Sequence, residues 1–303
     1  MRDLNLDQFK TIINKVQPGI LSLTGAGENL LNKDYCNMVK YARKKKITVY
    51  STTNGLLLNQ YATQIIESDL NELIVSLDGC NALQYKNIRG IDGFDLIIKG
   101  IKKIIYLKKK SKSNIVLGLN VVIQDLNYKM INEFLTLAKS LEIGLINFLP
   151  LDIHCEYMNN EKYIKNIDKI KLKECIQNNI LLAKKYHIST NLIFWIKNFD
   201  DIWKKINLKK DELLTNRTCH NPWSGVFINS AGYVLPCCML ITGKYNYGNI
   251  FEKDIIDILN SEKAIKFREI LIKGMKPFMR CKQCLIVPFQ DVMLDMYRRK
   301  ILI

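Results

Sequence analysis

Long hydrophobic runs, repeats and paired histidines are all missing from this chain of 303 residues. Apolar stretches such as Gly144 to Leu151 are far too short to cross a bilayer. The N-terminal residues lack the basic, apolar and small-residue pattern of a secretory signal peptide. The three histidines, His154, His187 and His220, show no spacing typical of a metal site, and we assign none of them a catalytic role. These absences predict a cytoplasmic protein with no membrane partner.

Acidic residues are in the minority. The chain has 45 Lys and Arg against 29 Asp and Glu, which gives a formal net charge of +16. Such a charge can attract nucleic acid, but the basic residues are dispersed over segments such as Arg43 to Lys46, Lys108 to Lys110 and Lys204 to Lys210. Nucleic-acid-binding proteins usually show a one-sided basic footprint instead. We therefore interpret the charge as a lysine-rich composition and do not expect a nucleic-acid partner.

Cysteine is plentiful, with nine residues. Without a secretory signal, this number indicates a reducing compartment, where cysteines serve metals or catalysis rather than disulfides. Four of them form two pairs near the C-terminus, Cys219-x17-Cys237 and Cys281-x2-Cys284, with 43 residues between the pairs. Two distant pairs brought together by folding make a four-thiolate cage, which suits either zinc or an iron–sulfur cluster.

The sequence inside the first pair predicts a hairpin. Gly232 lies in the run Asn229 to Val234, which reads as a tight turn bringing Cys219 and Cys237 to the same end of two short strands. We interpret Cys238 as a packing residue or spare ligand, because neighbouring side chains rarely both reach one metal. The remaining cysteines are expected to be small buried hydrophobes, with Cys80 of added interest just past a strand end: Cys36, Cys80, Cys155 and Cys175.

The first half of the chain alternates β-rich runs with helical patterns. Five apolar runs are predicted as strands, at Ile20 to Leu23, Ile47 to Ser51, Glu72 to Leu77, Asn114 to Ile123 and Gly144 to Leu151. This alternation predicts a parallel sheet, either doubly wound or part of a barrel. Ligand sites in such folds form at the carboxyl ends of the strands.

The residues at those carboxyl ends are unusual, and we expect them to share one mouth. Glycines after strands are also ordinary turn residues, so each position alone is a weak signal. The residues in question are Gly25, Gly27, Glu28, Asn54, Ser76, Asp78 and Pro150.

Several motifs occur at these ends and in the tail. Thr24 to Asn29 reads TGAGEN, Thr53 to Gly55 reads TNG, Ser76 to Gly79 reads SLDG, and Arg89-Gly90 precedes Gly93-Phe94-Asp95. Together with the Cys-x12-Gly-x4-Cys spacing at Cys219, they resemble the radical S-adenosylmethionine (radical SAM) superfamily, in the subgroup with a C-terminal SPASM or twitch domain. In the GGEP-like segment, Ala26 replaces a glycine and Asn29 replaces the proline.

Two features depart from the family pattern. The hallmark Cys-x3-Cys-x2-Cys, which in the family follows the first strand and holds the SAM-cleaving [4Fe–4S] cluster, is absent from the 303 residues. We expect a lost N-terminus, since the SAM-side motifs survive; the alternative is a non-catalytic relative. No cysteine follows Cys284, whereas a full SPASM domain with two auxiliary clusters needs further ligands there. The tail is therefore expected to be the one-cluster twitch version.

The resemblance implies a fold and a set of cofactors. It implies an α/β protein, a partial (β/α)6 TIM-type barrel without its first strand, followed by a small C-terminal SPASM/twitch metal-binding domain. The expected segments are a barrel at residues 1–155, a connecting helical region at 156–214 and the iron–sulfur domain at 215–303. The implied cofactors are S-adenosyl-L-methionine and one auxiliary [4Fe–4S] cluster, with a second cluster only if the missing N-terminal segment is present.

The resemblance also implies roles for particular residues. Backbone groups of Gly25, Ala26, Gly27 and Glu28 would meet the methionine amino group of SAM. Ser76 would hydrogen-bond a ribose hydroxyl, and Arg89 would pair with the SAM carboxylate; otherwise Arg89 is a surface arginine. Asn54 would shape its turn by tolerating a positive φ, and Asp78 would cap a turn or contact substrate. The implied cluster ligands are Cys219, Cys237, Cys281 and Cys284.

The function implied for an intact protein is oxidoreductase chemistry. It would cleave SAM to a 5′-deoxyadenosyl radical, which abstracts hydrogen from a peptide, protein or small sugar-like substrate, with a reducing partner such as flavodoxin or ferredoxin. The alternative is a non-catalytic four-cysteine protein, with iron–sulfur or zinc, that binds a peptide or protein partner. A basic zinc protein associated with nucleic acid is a third and weaker reading.

Overall fold

A computed structural model of the chain describes residues 3–25, 27–151, 166–207, 219–240 and 243–278, together with Cys281 and Cys284. Ala26, His154 and Cys155, singled out in the sequence, lie outside the described residues. The chain divides into two compact units. The sheet unit spans residues 18–206, and the tail unit combines residues up to 17 with those from 207 onward.

Six parallel strands form the sheet unit. They are β1 (Ile20–Ser22), β2 (Thr48–Thr53), β3 (Glu72–Ser76), β4 (Val116–Ile123), β5 (Leu145–Pro150) and β6 (Ser189–Thr190). Their order across the sheet follows their order along the chain. A doubly wound sheet reverses direction at a switch point, and this sheet does not. The order is therefore that of a (β/α) barrel segment, and the predicted parallel α/β fold is confirmed.

Among the described residues, each strand of the sheet is followed by one or two α-helices. They are α2 (Tyr35–Lys44), α3 (Leu58–Glu67), α4 (Ala82–Arg89), α5 (Phe94–Ser111), α6 (Ile131–Ser140), α7 (Lys169–Lys185), α8 (Leu192–Lys197) and α9 (Phe199–Ile206). Leu73, Ile74 and Val75 of β3 are all buried, as expected for a strand covered on both faces. Helices α3 and α5 pack closely at Gly100, where an added Cβ would lie 2.5 Å from the Leu58 Cβ. The absence of a side chain at Gly100 permits this approach.

The sixth strand lies inside the segment that the sequence predicted as a connecting helical region. Ser189 and Thr190 pair with Leu145 and Ile146 of β5, so this part of the chain extends the sheet. Asn191 then fixes the edge, because its amide accepts from Phe148 N (2.9 Å) and donates to Phe148 O (2.8 Å). A two-residue polar strand has no apolar run, and the sequence pattern gave no sign of it.

The tail unit has a small antiparallel sheet and its own core. Its strands are β7 (Phe227–Ile228), β8 (Tyr233–Leu235) and β9 (Gly248–Asn249), and its helices are α1 (Leu6–Val16), α10 (Asn221–Ser224), α11 (Ile255–Leu259) and α12 (Glu262–Ile272). Val234, Ile250, Ile258 and Phe267 are among the buried residues of the core.

Helix α1 belongs to this tail core. Ile12 packs in the cluster with Val234 and Ile250, and Lys15 Nζ donates to Ile250 O at 2.6 Å. The helix begins with a capping box in which Asn5 and Gln8 exchange hydrogen bonds. Although the sequence placed α1 in the 1–155 segment with the barrel, its apolar face is buried by the cysteine-rich part of the chain.

None of the helices that the structure describes is both long and apolar enough to span a membrane.

Candidate functional site: strand ends and tail cysteines

Glu28 joins the carboxyl ends of β1 and β2. Its Oε1 accepts from Thr53 Oγ1 (2.7 Å) and Leu30 N (3.2 Å), while Oε2 accepts from Asn54 N (2.7 Å). Hydrogen bonds to an ionised carboxylate are among the stronger ones in proteins. The Glu28 side chain thus ties the TGAGEN segment to the TNG turn.

Asn29, which departs from the family motif, has a structural role in the same junction. Its Nδ2 lies within hydrogen-bond distance of Leu23 O (3.1 Å), Ser51 Oγ (3.1 Å) and Thr52 O (2.9 Å). A proline at this position would have no side-chain donor for these acceptors. The amide therefore provides a second bridge between β1 and β2.

The TNG turn differs from its predicted form in one detail. The positive φ belongs to Gly55 (+84°), not to Asn54. Asn54 instead accepts from Leu56 N through Oδ1 at 3.0 Å, which is an Asx turn. A side chain at Gly55 would also meet Val75 and Ile97, each 2.9 Å from an added Cβ, so this position requires glycine for both backbone and space.

Asp78 and Arg89 form an ion pair beside the end of β3. Arg89 Nη2 lies 2.6 Å from Asp78 Oδ2, and the Asp78 side chain is 3% exposed while that of Arg89 is 38% exposed. Asp78 Oδ1 also accepts from Val122 N at 2.8 Å. Asp78 therefore links β3 to β4 and holds Arg89, rather than capping Gly79. Arg89 is correspondingly not an unpaired surface arginine.

The environment of Asp78 has opposing effects on its charge. Burial raises the pKa of the carboxyl above its ordinary value, while the Arg89 guanidinium and the Val122 N–H act in the opposite direction. A buried carboxylate stays ionised only if such partners stabilise its negative charge. Asp78 and Arg89 are thus mutually dependent, and a change in either will affect the other.

Asn127 supports this pair from the loop after β4. Its Nδ2 lies within hydrogen-bond distance of Asp78 O (3.0 Å) and Val122 O (2.9 Å), and its Oδ1 accepts from Gln124 N (2.9 Å). The residue is 1% exposed. Sequence reasoning missed Asn127, because nothing in a lone loop asparagine indicates a partner so distant in the chain.

A polar row crosses the three central strands. Ser76, Asn120 and Asn147 are neighbours in register on β3, β4 and β5, and Asn147 Nδ2 donates to Asn120 Oδ1 at 3.0 Å. All three are half-buried. The sequence analysis identified only Ser76. Asn120 and Asn147 are polar residues within apolar predicted strands, and this exception to the pattern could have identified them.

The other predicted residues of the mouth are more open. An added Cβ at Gly27 would meet no atom within 4 Å, and at Gly25 the nearest atoms are 3.9 Å away. Packing within the protein therefore does not require glycine at either position. A ligand that approaches the backbone closely would require it. Pro150 is buried at the end of β5, in register with Ile123 of β4.

The tail hairpin has the predicted form. Gly232 adopts φ +85° in the turn between β7 and β8, and Phe227 pairs with Leu235 at the opposite end. Cys237 follows β8 and so lies at the end away from the turn, whereas helix α10 separates Cys219 from β7. Gly232 also lies against Phe251, whose ring would be 2.4 Å from an added Cβ.

Electrostatic coupling relates the four tail cysteines. Burial raises the pKa of Cys237 to about 12, and the thiols of Cys238, Cys281 and Cys284 add to this shift. The pKa of Cys281 is raised to about 11, first by burial and then by Cys284 and Cys219. The four half-buried thiols therefore lie in one neighbourhood. Burial favours the protonated form of Cys237 and Cys281, whose protons a bound metal would displace.

Zinc and a [4Fe–4S] cluster place different demands on the arrangement of four thiols. Within the described parts of the chain, no three His, Cys, Asp or Glu side chains are arranged to hold one metal ion. The ligands of a zinc ion converge on one point, whereas the four thiolates of a [4Fe–4S] cluster bind four separate irons.

A match to a family model covers the tail. Residues 219–285 match the SPASM model, described as an iron–sulfur cluster-binding domain. All four cysteines of the two pairs lie in this range.

Curated relatives match about half of the chain. The "Probable GTP 3′,8-cyclase" of Methanocaldococcus jannaschii is 31% identical over 170 residues, which are 55% of this chain and 55% of the relative. The "Probable GTP 3′,8-cyclase" of Methanococcus vannielii is 27% identical over 58% of this chain and 59% of its own length. The chain thus spans between half and two thirds of these relatives.

Solved structures share the fold over most of the chain. The structure "Native anSMEcpe with bound AdoMet and Kp18Cys peptide" has a TM-score of 0.62 and 19% identity, covering 94% of this chain and 79% of the other. The structure of Streptococcus suis SuiB bound to S-adenosylmethionine has a TM-score of 0.63 and 17% identity, covering 88% and 61% respectively. These similarities establish the architecture.

Proposed function

Because this chain is a radical SAM protein with a C-terminal SPASM domain, we propose that its strand ends bind SAM and that its tail cysteines ligate one auxiliary [4Fe–4S] cluster. When bound, SAM and a reduced [4Fe–4S] cluster supply a 5′-deoxyadenosyl radical for hydrogen abstraction. The motif that would hold that SAM-cleaving cluster is absent from the 303 residues. What the chain itself contributes is binding and orientation.

The observation that carries this proposal is the Asp78–Arg89 pair. The buried Asp78 carboxylate holds one guanidinium nitrogen of Arg89 at 2.6 Å, while 38% of the Arg89 side chain remains exposed. A guanidinium has five N–H donors, so it can pair with Asp78 and still offer donors to a ligand carboxylate. Arg89 would bind the SAM carboxylate, Asp78 would position it, and Ser76 would bind the ribose.

SAM binding tests this assignment. Arg89→Ala should weaken binding by roughly tenfold or more, because a hydrogen bond to a charged group contributes about 1.5–3 kcal/mol. Equilibrium dialysis with radiolabelled SAM measures the affinity. Lys86→Ala is the matched control, since Lys86 lies on the same helix and pairs with Asp92 on the surface. Equal affinity in both variants would contradict the role of Arg89.

The tail residues fit a cluster with sulfur acceptors. Four thiols share one neighbourhood, and the buried hydroxyl of Tyr247, whose pKa the thiols of Cys237 and Cys219 help to raise, has no hydrogen-bond partner among the described residues. Ligation by Cys219, Cys237, Cys281 and Cys284 would occupy all four irons. No iron would then have a free coordination position for a substrate. A role for the cluster as the acceptor of an electron from the substrate is therefore favoured, which gives a net oxidation of the substrate.

For the substrate, we propose a peptide or protein that undergoes oxidative modification. The similar folds of anSMEcpe, solved with the Kp18Cys peptide, and of SuiB, solved with the precursor peptide SuiA, support this class. The polar row of Ser76, Asn120 and Asn147 would meet hydrogen-bonding groups of SAM or of the substrate. Sugar-like substrates would meet the same row.

A nucleotide is the second candidate substrate, because the matching curated relatives are named probable GTP 3′,8-cyclases. Competition between GTP and short peptides for the purified chain discriminates the two classes. Saturable GTP binding that is weakened by Asn147→Ala would favour the nucleotide. Peptide binding without GTP binding would favour peptide modification.

A non-catalytic role in binding a peptide or protein is a further candidate. It differs from the enzyme in one requirement, the Cys-x3-Cys-x2-Cys motif, which a binding protein does not need. The genomic sequence upstream of Met1 separates the two possibilities. An in-frame segment encoding the cysteine motif supports the enzyme, and a stop codon without that motif supports the binding protein.

A further inference from the structure

Tyr247 is a buried residue of the tail core. Its side chain is 6% exposed, and its backbone N donates to Val234 O at 2.8 Å. The ring packs edge-on against Tyr245 and Phe267, with centroid distances of 6.3 and 6.1 Å. Val234 lies on β8, the strand that leads into Cys237. The ring therefore belongs to the same core as Val234, which lies three residues before Cys237 in the sequence.

The hydroxyl of Tyr247 is unusual in this core. It is buried and has no hydrogen-bond partner among the described residues. Leaving a buried hydroxyl without a partner costs roughly 1–3 kcal/mol, so buried tyrosine hydroxyls usually find one. A tyrosine hydroxyl is a hydrogen-bond donor as well as an acceptor.

The sulfurs of the two cysteine pairs are candidate acceptors for this hydroxyl. Cys219 packs against the core that contains the tyrosine, and Cys237 follows β8, the strand whose Val234 O accepts from Tyr247 N. A neutral thiol is a poor acceptor, whereas a cluster-bound thiolate or sulfide carries negative charge and accepts well. The donor would therefore gain a partner when the cluster is present.

We propose that Tyr247 donates a hydrogen bond to a sulfur of the tail [4Fe–4S] cluster and that it is a positioning residue which sets the cluster's reduction potential. This inference rests on the proposed function, namely that the tail holds such a cluster. Hydrogen bonds to cluster sulfurs raise the potential, because the reduced cluster is more negative and gains more from each donor.

The test is a comparison of two tyrosines that differ in their hydrogen bonding. Tyr247→Phe removes the buried hydroxyl, and Tyr245→Phe removes a neighbouring hydroxyl that already donates to Lys263 O at 3.2 Å. Each anaerobically reconstituted variant is assayed for iron, and its midpoint potential is then measured by a redox titration monitored by electron paramagnetic resonance. The potential of Tyr247→Phe should become more negative, and that of Tyr245→Phe should stay at the wild-type value.

An unchanged potential in Tyr247→Phe with full iron content would overturn this inference and leave the proposed function intact. A wild-type chain that binds no iron would instead overturn the proposed function itself. If Tyr247→Phe does not retain the cluster, 3-fluorotyrosine at this position provides a second variant. Its hydroxyl is a stronger donor in a nearly unchanged ring, so the potential should become more positive; no shift would contradict the hydrogen bond.

Discussion

At the scale of single residues, carboxylates fix the strand ends. Glu28 joins β1 to β2 through Thr53 and Asn54, and Asp78 joins β3 to β4 through Val122. Both belong to motifs that the sequence marks as ligand-binding. Their side chains nevertheless bind the protein's own donors, so the role we propose for them is to hold the neighbouring backbone and Arg89 in place.

Asp78→Asn should destabilise the sheet unit by about 1.5–3 kcal/mol, the range for a hydrogen bond to a charged group. The substitution removes the charge that faces Arg89 while it preserves the shape. Urea unfolding measures the change. Lys86→Ala breaks the exposed pair with Asp92 and should change stability by less than about 1 kcal/mol. An equally small effect of both changes would show that Asp78 does not fix the strand end.

Burial should make Cys80 slow to react with iodoacetamide. Its thiol pKa is raised to about 12, chiefly by burial and then by Glu133. The thiolate is the nucleophile. At pH 8, in the folded chain without metal, iodoacetamide should therefore modify Cys80 far more slowly than the exposed Cys238. Peptide mass mapping over time gives both rates, and similar rates would contradict the burial of Cys80.

The same shift has a definite effect on stability. Because the pKa of Cys80 is higher in the folded state than in the unfolded state, the neutral thiol favours folding below the unfolded value of about 8.5. That contribution is lost as the pH rises from there through about 12. Cys80→Ser tests this, since its stability should fall less steeply above pH 9 than that of the wild type.

Sequence reasoning found the residue types at these ends but not their partners. Ser76, Asp78 and Arg89 stand out because they lie in motifs. The Asp78–Arg89 contact depends on how α4 packs after β3, and the support from Asn127 depends on a loop after the next strand. Contacts of this kind are set by tertiary packing, and a single sequence carries no record of them.

At the scale of elements, the pattern of apolar residues was sufficient to predict most strands of the sheet. Each of the five predicted strands overlaps an observed strand, because continuous apolar runs are typical of strands buried on both faces. The missed strand β6 is short and polar. The assignment of α1 could not be predicted either, because amphipathicity shows that a helix buries one face but not which core receives it.

The hairpin at Gly232 should tolerate substitution poorly. Gly232→Ala places a side chain at φ +85° and 2.4 Å from Phe251. Gly274→Ala is the matched control, because Gly274 has a similar φ of +74° with nothing within 4 Å of an added Cβ. The control should lose about 1–2 kcal/mol from backbone strain alone, and Gly232→Ala should lose clearly more in denaturant unfolding. Equal losses would show that Phe251 adjusts freely.

Helix α1 should stabilise the tail unit. Ile12→Ala removes a buried side chain from that core and should cost about 2–5 kcal/mol. Amide hydrogen exchange should therefore increase in β7 to β9 but not in β2 to β5. Lys10→Ala, on the exposed face of the same helix, should change neither set. Faster exchange in the sheet strands alone would contradict the placement of α1.

At the scale of the whole molecule, two units carry two separate sets of motifs. The sheet unit holds the TGAGEN, TNG and SLDG segments, and the tail unit holds the two cysteine pairs. The spacing of the cysteines predicted a metal-binding tail, and the match of residues 219–285 to the SPASM domain confirms its class. The number of clusters and their ligands are still predictions, because spacing alone cannot exclude zinc.

The most direct measurement is the metal content of the tail after anaerobic reconstitution with iron and sulfide. The account predicts about four irons and four sulfides per chain, lost in Cys281→Ala and retained in Cys238→Ala, since Cys238 is exposed and outside the proposed ligand set. Zinc without iron, or an iron content that Cys281→Ala leaves unchanged, would contradict it.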